Sequence, residues 1–152
     1  VKTVEAGMSS RDEEEMMASR ALEEMGERIL LVAADQRGSR PLEKLLRRAS
    51  CEGFAEAFKL LMEALPDLAP NQYASHVLEV AFSSWAERQR LETDAAEGSV
   101  PSSEPLVRLC DRLREDGLYN VLAHDACASH TIRALVLALA GYAPLSQSKD
   151  QA

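Results

Sequence analysis

The chain has 152 residues, of which 46% are hydrophobic, 28% charged and 5% aromatic. This apolar content can fill the core of one domain of ordinary size and excludes a fully disordered chain. Asp and Glu outnumber Lys and Arg by 25 to 17, and the resulting net charge of -8 argues against a protein that binds nucleic acid through its overall charge alone.

The predicted elements, in chain order, are all helices. Leu, Ala, Glu and Arg dominate the composition, apolar residues recur at helical spacing, and no segment shows sustained alternation with a period of two. An acidic helix over Asp12–Met25 leads into three units, each with a short first helix and a second helix, and two of them with a longer third helix. The short helices are predicted at Glu27–Ala34, Pro66–Ala69 and Leu118–His124, and the third helices at Gly53–Leu65 and Glu104–Glu115.

The second helices share one twelve-residue pattern. It reads DQRGSRPLEKLL over Asp35–Leu46, NQYASHVLEVAF over Asn71–Phe82 and DACASHTIRALV over Asp125–Val136. In each copy the apolar residues follow a 3.6-residue period, which predicts an amphipathic helix with one face in a core. Pro41 in the first copy is compatible with such a helix only in its first turn, because a proline further along kinks a helix.

The copies repeat at a regular interval that is interrupted once. Ser39 and Ser75 are 36 residues apart, and Ser129 follows after a further 54, which is the same period with 18 residues inserted. Glu92–Glu104, with the sequence ETDAAEGSVPSSE, has no hydrophobic period and is rich in Ser, Gly and Pro. We therefore predict a flexible acidic loop at this insertion.

Units of this size cannot bury their apolar faces alone, and stacking them produces a continuous core. The sequence therefore predicts an all-α fold, an α-solenoid of about three stacked three-helix repeats with the last one incomplete. The predicted divisions are an acidic lead-in at 1–26, repeat 1 at 27–65, repeat 2 at 66–117 with the loop insertion 92–104, a partial repeat 3 at 118–145 and a polar tail at 146–152.

The shared pattern also predicts a binding surface. Positions i, i+1 and i+4 of a helix cluster, so each unit presents a hydroxyl, a planar cationic side chain and a longer polar group. The candidate residues are Ser39, Arg40 and Glu43, then Ser75, His76 and Glu79, then Ser129, His130 and Arg133. A row of such groups suits single-stranded RNA, whose bases stack on planar side chains while their edges form hydrogen bonds. Because a carboxylate accepts from the adjacent N–H groups of guanine, the two units with Glu should favour G, and the unit with Arg133 should not.

These motifs resemble a known family. GSRPLE, ASHVLE and ASHTIR at this spacing resemble pumilio-type (PUF) RNA-binding repeats, and the longer runs GSRPLEKLL, YASHVLEVAF and ASHTIRALVLALAG are most similar to the N-terminal repeats of the nucleolar protein 9 family, over roughly Glu27–Gly141. The resemblance implies stacked three-helix repeats with single-stranded RNA bound along the inner helices. It further implies a nucleolar location, a part in processing the precursor of small-subunit ribosomal RNA, and ribosome-assembly proteins as partners. Pro41 departs from the family pattern, in which an aliphatic residue is usual.

Other interpretations of the same residues remain open at this stage. The serines can be helix-start hydroxyls, the histidines can be partly buried and hydrogen-bonded, and the glutamates can pair with cations such as Lys44 or Arg47. A metal site is a further interpretation of His124, Cys127 and His130. Their i, i+3 and i+6 spacing, however, spreads the three side chains over too wide an arc of a helix to bind one ion. We expect no metal and no cofactor.

The sequence supports no enzyme class, because it has no nucleophile elbow, phosphate-cradling glycine loop or catalytic Cys/His arrangement. We expect a non-catalytic protein with no small-molecule substrate. The alternative architecture is a HEAT-like or armadillo-like scaffold for protein–protein interaction, although those repeats usually span ~40–47 residues and lack the serine-based pattern.

Cysteine usage and hydropathy point to an intracellular location away from membranes. The three cysteines are widely spaced and form neither a C-x-x-C pair nor a metal-finger spacing, which is typical of a reducing compartment. Ala134–Leu145 is the most apolar segment, but it is shorter than the ~20 residues of a membrane-spanning helix and contains Gly141. The acidic N-terminal region does not resemble a signal peptide.

The acidity is confined to two segments. Residues 1–27 contain three basic and eight acidic residues, and residues 92–104 contain four acidic residues and no basic one. The remaining residues have a net charge of +1, and Asp35–Arg48 alone has +3. The overall charge of -8 therefore bears little on the predicted binding surface.

Overall fold

The computed structural model describes residues 9–91 and 101–141, and all regular structure in these two ranges is helical, which confirms the all-α prediction. The helices are α1 (Ser10–Met25), α2 (Ile29–Ala33), α3 (Ser39–Arg48), α4 (Cys51–Leu68), α5 (Gln72–Leu91), α6 (Glu104–Glu115), α7 (Leu118–Ala123) and α8 (Ala128–Leu139), with a 3₁₀ turn at Gly26–Arg28. The predicted tail at 146–152 lies outside the described residues, as do residues 1–8 of the lead-in and residues 92–100 of the acidic loop. No helix in the described ranges is long and apolar enough to cross a membrane.

The helices form two layers. The second helices of the three units, α3, α5 and α8, lie side by side with α5 in the middle, and we call them the inner helices. The longer helices α4 and α6 pack against each other on the other side, and α4 also contacts α5. This stacking of similar units around one continuous core is an α-solenoid.

The inner helices begin in the same way because their copies of the pattern start with the same kind of residue. A side-chain oxygen of Asp35, Asn71 or Asp125 accepts hydrogen bonds from the backbone N–H groups two and three residues later, at 2.8–3.0 Å. These bonds satisfy donors that have no partner inside a helix. Pro41 falls in the first turn of α3, where its missing N–H costs nothing, and the helix continues to Arg48.

An aromatic cluster joins α4 to α5. The ring of Phe58 lies 5.3 Å from that of Phe54, 6.2 Å from that of Phe82 and 6.4 Å from that of Trp85, measured between centroids. The three phenylalanines are the only ones in the chain, and all are fully buried. The few aromatic residues of this sequence are therefore concentrated where the first and second units meet.

The acidic lead-in helix is an integral part of the fold. Helix α1 packs against α3 and α4, and the Ser19 hydroxyl accepts a hydrogen bond from the backbone N–H of Ser50 at 2.8 Å, just before α4 begins. A Cβ atom at Gly53 would lie only 3.0 Å from the Cβ of Ser19, so glycine permits this close approach. The chain from Ser10 onward thus covers the outer end of the first unit. The predicted division at 26/27 instead separates α1 from the repeat against which it packs.

The prediction of a separate short helix at Pro66–Ala69 is wrong. Helix α4 continues through Pro66 to Leu68, although proline lacks the N–H that would bond to the carbonyl of Met62. Leu65 and Leu68 are buried in the core, and their packing holds the last turn in place. The predicted boundary between repeats 1 and 2 therefore falls inside a helix.

The chain returns to the core immediately after the undescribed part of the insertion. The Gln89 amide donates to the carbonyl of Pro101 at 2.7 Å, and the Trp85 indole N–H donates to the carbonyl of Ser102 at 3.4 Å. Both donors belong to the last turns of α5. Helix α6 begins at Glu104, as its prediction at Glu104–Glu115 stated, so this residue ends the predicted loop.

A buried hydroxyl group in α8 lies where a substitution should stabilise the fold. Thr131 is 0% exposed, and its hydroxyl has no hydrogen-bond partner among the described residues. Val77 occupies the equivalent position of α5, so the site accepts the same shape without a hydroxyl. Because an unsatisfied buried hydroxyl costs about 1–3 kcal/mol, we expect Thr131→Val to raise the free energy of unfolding by about 1 kcal/mol in urea denaturation.

The control for this substitution is Thr131→Ser, which keeps the hydroxyl and removes the methyl group. We expect it to lower the free energy of unfolding. A Thr131→Val variant that is no more stable than the parent would contradict the assignment of an unsatisfied hydroxyl.

Candidate RNA-binding face

A single open groove crosses the inner helices α3, α5 and α8. Its volume is about 340 Å³. It is lined by Glu43 and Arg47 of α3, His76, Glu79, Val80 and Ser83 of α5, and His130, Arg133, Ala134 and Leu137 of α8. Three helices that are far apart in the sequence thus contribute to one surface.

The lining residues occupy four equivalent positions of the three units, the last of them one residue beyond the twelve-residue pattern. In α3 two of these positions are held by Arg40 and Lys44, which are not among the residues that line the groove. The upper row is the pair of positions one and four residues after the serine of each copy. It consists of Arg40, Glu43, His76, Glu79, His130 and Arg133. The second pair is five and eight residues later, and we call it the lower row; it consists of Lys44, Arg47, Val80, Ser83, Ala134 and Leu137. The structure therefore brings equivalent positions of the three units together.

The serines lie beneath the upper row. Ser39 is 5% and Ser75 4% exposed, whereas Ser129 is half-buried. The Ser75 hydroxyl donates to the carbonyl of Gln72 at 3.1 Å, and the Ser129 hydroxyl donates to that of Ala126 at 3.4 Å. These bonds differ from the alternative interpretation, in which the serines accept from backbone N–H groups at a helix start, because that role belongs to Asp35, Asn71 and Asp125.

His76 is exposed and oriented. Its side chain is 69% exposed, and its Nδ1 atom lies 3.1 Å from Oε2 of Glu79. The hydrogen bond along one turn of α5 fixes the direction of the ring without covering its faces. His130 of α8 is exposed as well. The alternative of partly buried histidines therefore does not apply to either residue.

Glu43 lies at the centre of a mixed-charge environment. Burial raises the pKa of its carboxyl group, the positive charges of Arg47, His76 and Arg40 lower it, and the negative charge of Glu79 raises it further. Among residues 9–91 and 101–141, Glu43 forms no ion pair with Lys44 or Arg47. Its carboxylate thus faces the groove without a fixed partner and is available to a ligand.

The residues considered for a metal are not arranged around one point. His124 follows α7, and its Nδ1 atom lies 2.7 Å from the carbonyl of Asn120, whereas His130 belongs to α8. In the described ranges, no group of three or more His, Cys, Asp or Glu side chains is placed to hold a metal ion.

No residue of the lower row was predicted as part of a site from the sequence. Arg47, Val80, Ser83, Ala134 and Leu137 line the groove one turn beyond the upper row. Extending each helical face by four residues would have found these positions, because i+4 neighbours lie on the same face. The residue types at these positions did not indicate a site, because they differ between the units and include a cation, a hydroxyl and aliphatic side chains.

The helical units are stacked, each inner helix begins in the same way, and equivalent polar positions align on one face. These features define a helical repeat protein of the pumilio type. Comparison of the sequence with known families supports this class. The family described as NOP9-like PUF repeat domain matches residues 28–152, and the chain belongs to this family. The match confirms the resemblance inferred from the motifs and favours pumilio-type repeats over the HEAT-like or armadillo-like alternative.

Related proteins carry the same family name. The chain is 30% identical to Nucleolar protein 9 of Coccidioides posadasii, over 92% of this chain and 22% of that protein. It is 27% identical to Nucleolar protein 9 of Paracoccidioides lutzii, over 87% of this chain and 21% of that protein. The chain therefore spans about a fifth of the length of these relatives. No solved structure matches.

Proposed function

We propose that this chain binds single-stranded RNA on its inner face and that it acts by binding, without catalysis. The observation that carries the proposal is the upper row, in which Arg40, His76 and His130 occupy one position of three adjacent helices. These exposed side chains can stack on bases, and stacking tolerates any base because each has a π-face.

The neighbouring positions of the upper row supply the contacts to base edges. Glu43 and Glu79 offer acceptors to the adjacent N–H groups of guanine, and Arg133 offers only donors. Ser39 and Ser75 are too buried to reach a base in this conformation and support the row from below. Half-buried Ser129 is the serine nearest to the surface, so it is the one of the three that we retain as a candidate contact.

The names of the related proteins support a cellular location for the proposed RNA binding. Their name, Nucleolar protein 9, supports a nucleolar location for the protein to which this segment corresponds. We propose the precursor of small-subunit ribosomal RNA as the bound RNA and ribosome-assembly proteins as further partners. We propose three repeats with one inner helix each, and the boundary between the first two follows the end of α4 at Leu68 instead of dividing that helix at 65/66.

A direct binding measurement tests the proposal. Fluorescence anisotropy with labelled single-stranded RNA, duplex RNA of the same sequence and single-stranded DNA would compare the three ligands at several salt concentrations. We expect the single-stranded RNA to bind most tightly, because only unpaired bases can stack on the upper row. Absent binding, or tighter binding to the duplex, would contradict the proposal.

Glu79→Gln is expected to weaken discrimination for G at one position. The substitution keeps the size of the side chain and replaces one acceptor oxygen with an NH₂ donor, which opposes the donors of guanine. Because a hydrogen bond to a charged group contributes about 1.5–3 kcal/mol, we expect the preference for a U-rich RNA with one G over oligo(U) to fall by at least 1 kcal/mol. Equal discrimination before and after the change would contradict this role.

Glu43→Gln should act at a neighbouring position of the RNA, and Glu63→Gln on the exposed surface of α4 is the control. Burial raises the pKa of Glu43, so the native state binds a proton at this carboxyl group more tightly than the unfolded state does. Stability from this group is present at low pH and is lost as the pH rises through the raised pKa. Glu43→Gln is therefore not expected to lower the melting temperature at neutral pH.

A further inference from the structure

The lower row changes its chemistry from one end of the groove to the other. In the first unit its two positions are the cations Lys44 and Arg47, whereas in the second they are Val80 and Ser83. In the third they are Ala134 and Leu137. Of these two cations Arg47 lines the groove, together with Glu43 of the same helix, and Val80, Ala134 and Leu137, which we call the apolar floor, line it from α5 and α8.

Arg47 is the cation that faces this groove from α3. It is exposed and has no ion-pair partner within the described part of the chain, whereas its neighbour Arg48 pairs with Glu14 of α1 at 3.5 Å. The two adjacent arginines thus differ in role. Arg48 serves the contact between α1 and α3, whereas Arg47 presents its guanidinium group to the groove, where its charge also acts on Glu43.

The apolar floor is largely buried, and the groove that contains it is large enough for a small flat group. Val80 is 7% exposed, and Ala134 and Leu137 are half-buried. The groove volume of about 340 Å³ is at the low end of the range of about 300–1,000 Å³ for small-ligand sites. His76 and Arg133 of the upper row line the same groove.

We propose that the lower row binds one further nucleotide of the RNA, with its phosphate at Arg47 and the face of its base on Val80, Ala134 and Leu137. A nucleotide combines an anionic group with a ring that is apolar on its faces, and the groove offers the complement of each part. The inference rests on the proposed function, since it assumes that single-stranded RNA lies on the inner face. It adds a contact one helical turn away from the positions that meet base edges.

The phosphate contact is tested by the salt dependence of binding. In single-stranded nucleic acid, each neutralised phosphate contributes a slope of about -0.7 to the plot of log affinity against log salt concentration. We expect Arg47→Ala to reduce the magnitude of the slope by about 0.7 with labelled oligo(U) carrying one internal G. Arg48→Ala, the matched control, should leave the slope unchanged.

Substitutions in the apolar floor test the proposed contact with the base. Leu137→Ser should weaken binding about fivefold or more with an unchanged salt slope, because it removes apolar surface and no charge. Leu139→Ser, on the exposed side of the same helix, is its control. Leu137 is half-buried, so Ala134→Met provides a second variant, which fills the floor instead of removing a side chain from it, and it should weaken binding too.

The outcomes separate this inference from the proposed function. If His76→Ala weakens binding while the Arg47, Leu137 and Ala134 variants behave like their controls, RNA lies on the upper row alone and the nucleotide site is refuted. A changed slope for Arg47→Ala with unaffected floor variants also refutes it, because only a phosphate contact would remain. If the parent chain binds no RNA, the proposed function itself fails.

Discussion

Replacing Arg88 with Ala is expected to lower the free energy of unfolding by about 2–4 kcal/mol. Its guanidinium group, in the last turns of α5, donates to the carbonyls of Leu46 and Ala49 at 3.1 and 2.8 Å, where α3 ends. The same group lies 4.5 Å from the centroid of the Phe54 ring. The substitution leaves two carbonyls at the end of a helix without this donor and removes a cation–π contact of about 0.5–1 kcal/mol.

Two variants control this experiment. Arg88→Lys keeps the charge but not the planar fork, so it should recover only part of the lost stability. Arg108→Ala removes an exposed arginine that pairs with Glu104 at 2.7 Å one turn away, and exposed pairs of this kind contribute about 0.5 kcal/mol. Urea denaturation followed by circular dichroism measures all three. An Arg88→Ala variant as stable as Arg108→Ala would refute the assigned role.

Replacing Arg40 and His76 with Ala is expected to weaken binding of single-stranded RNA by about 1–3 kcal/mol for each lost stack. Both side chains are exposed, so the circular dichroism spectrum and the melting temperature should stay unchanged. His130→Ala tests the same position in the third unit. Because the three side chains occupy one row, the losses should accumulate as more of them are removed.

The matched control for the histidines is His124→Ala. His124 is also exposed but lies after α7, outside the groove. We expect it to bind RNA like the parent chain. If His76→Ala and His124→Ala bind equally well, the upper row does not carry the affinity. Loss of a protein partner with unchanged RNA binding would favour a role as a scaffold for protein–protein interaction.

The charge distribution sets the conditions of these experiments. Among the residues of the acidic lead-in, Glu14 lies on α1 and pairs with Arg48, while the groove itself has Arg47 at one end. The upper and lower rows together contain four cations and two carboxylates, so these positions have a net charge of +2 although the chain is acidic overall. Binding should depend strongly on salt, and affinities should be compared at one salt concentration.

The sequence alone determined the parts of the fold that depend on local order. Helical periodicity was sufficient to predict the all-α fold, and the shared motifs at their 36-residue interval were sufficient to predict the family. These features are local because a helix forms from contacts between residues within four positions of each other. The exposed residues Arg40, His76 and His130 were predicted for the same reason.

Only the tertiary structure decided which side chains of the pattern reach the surface and which distant residues meet. Ser39 and Ser75 are buried because neighbouring helices cover them, and α4 continues past Pro66 because its last turn packs into the core. Arg88 binds carbonyls 39 and 42 residues away, and the lower row becomes a groove only when three inner helices lie side by side. Periodicity sets the direction of each side chain around its own helix, whereas burial depends on the elements that the completed fold places against it.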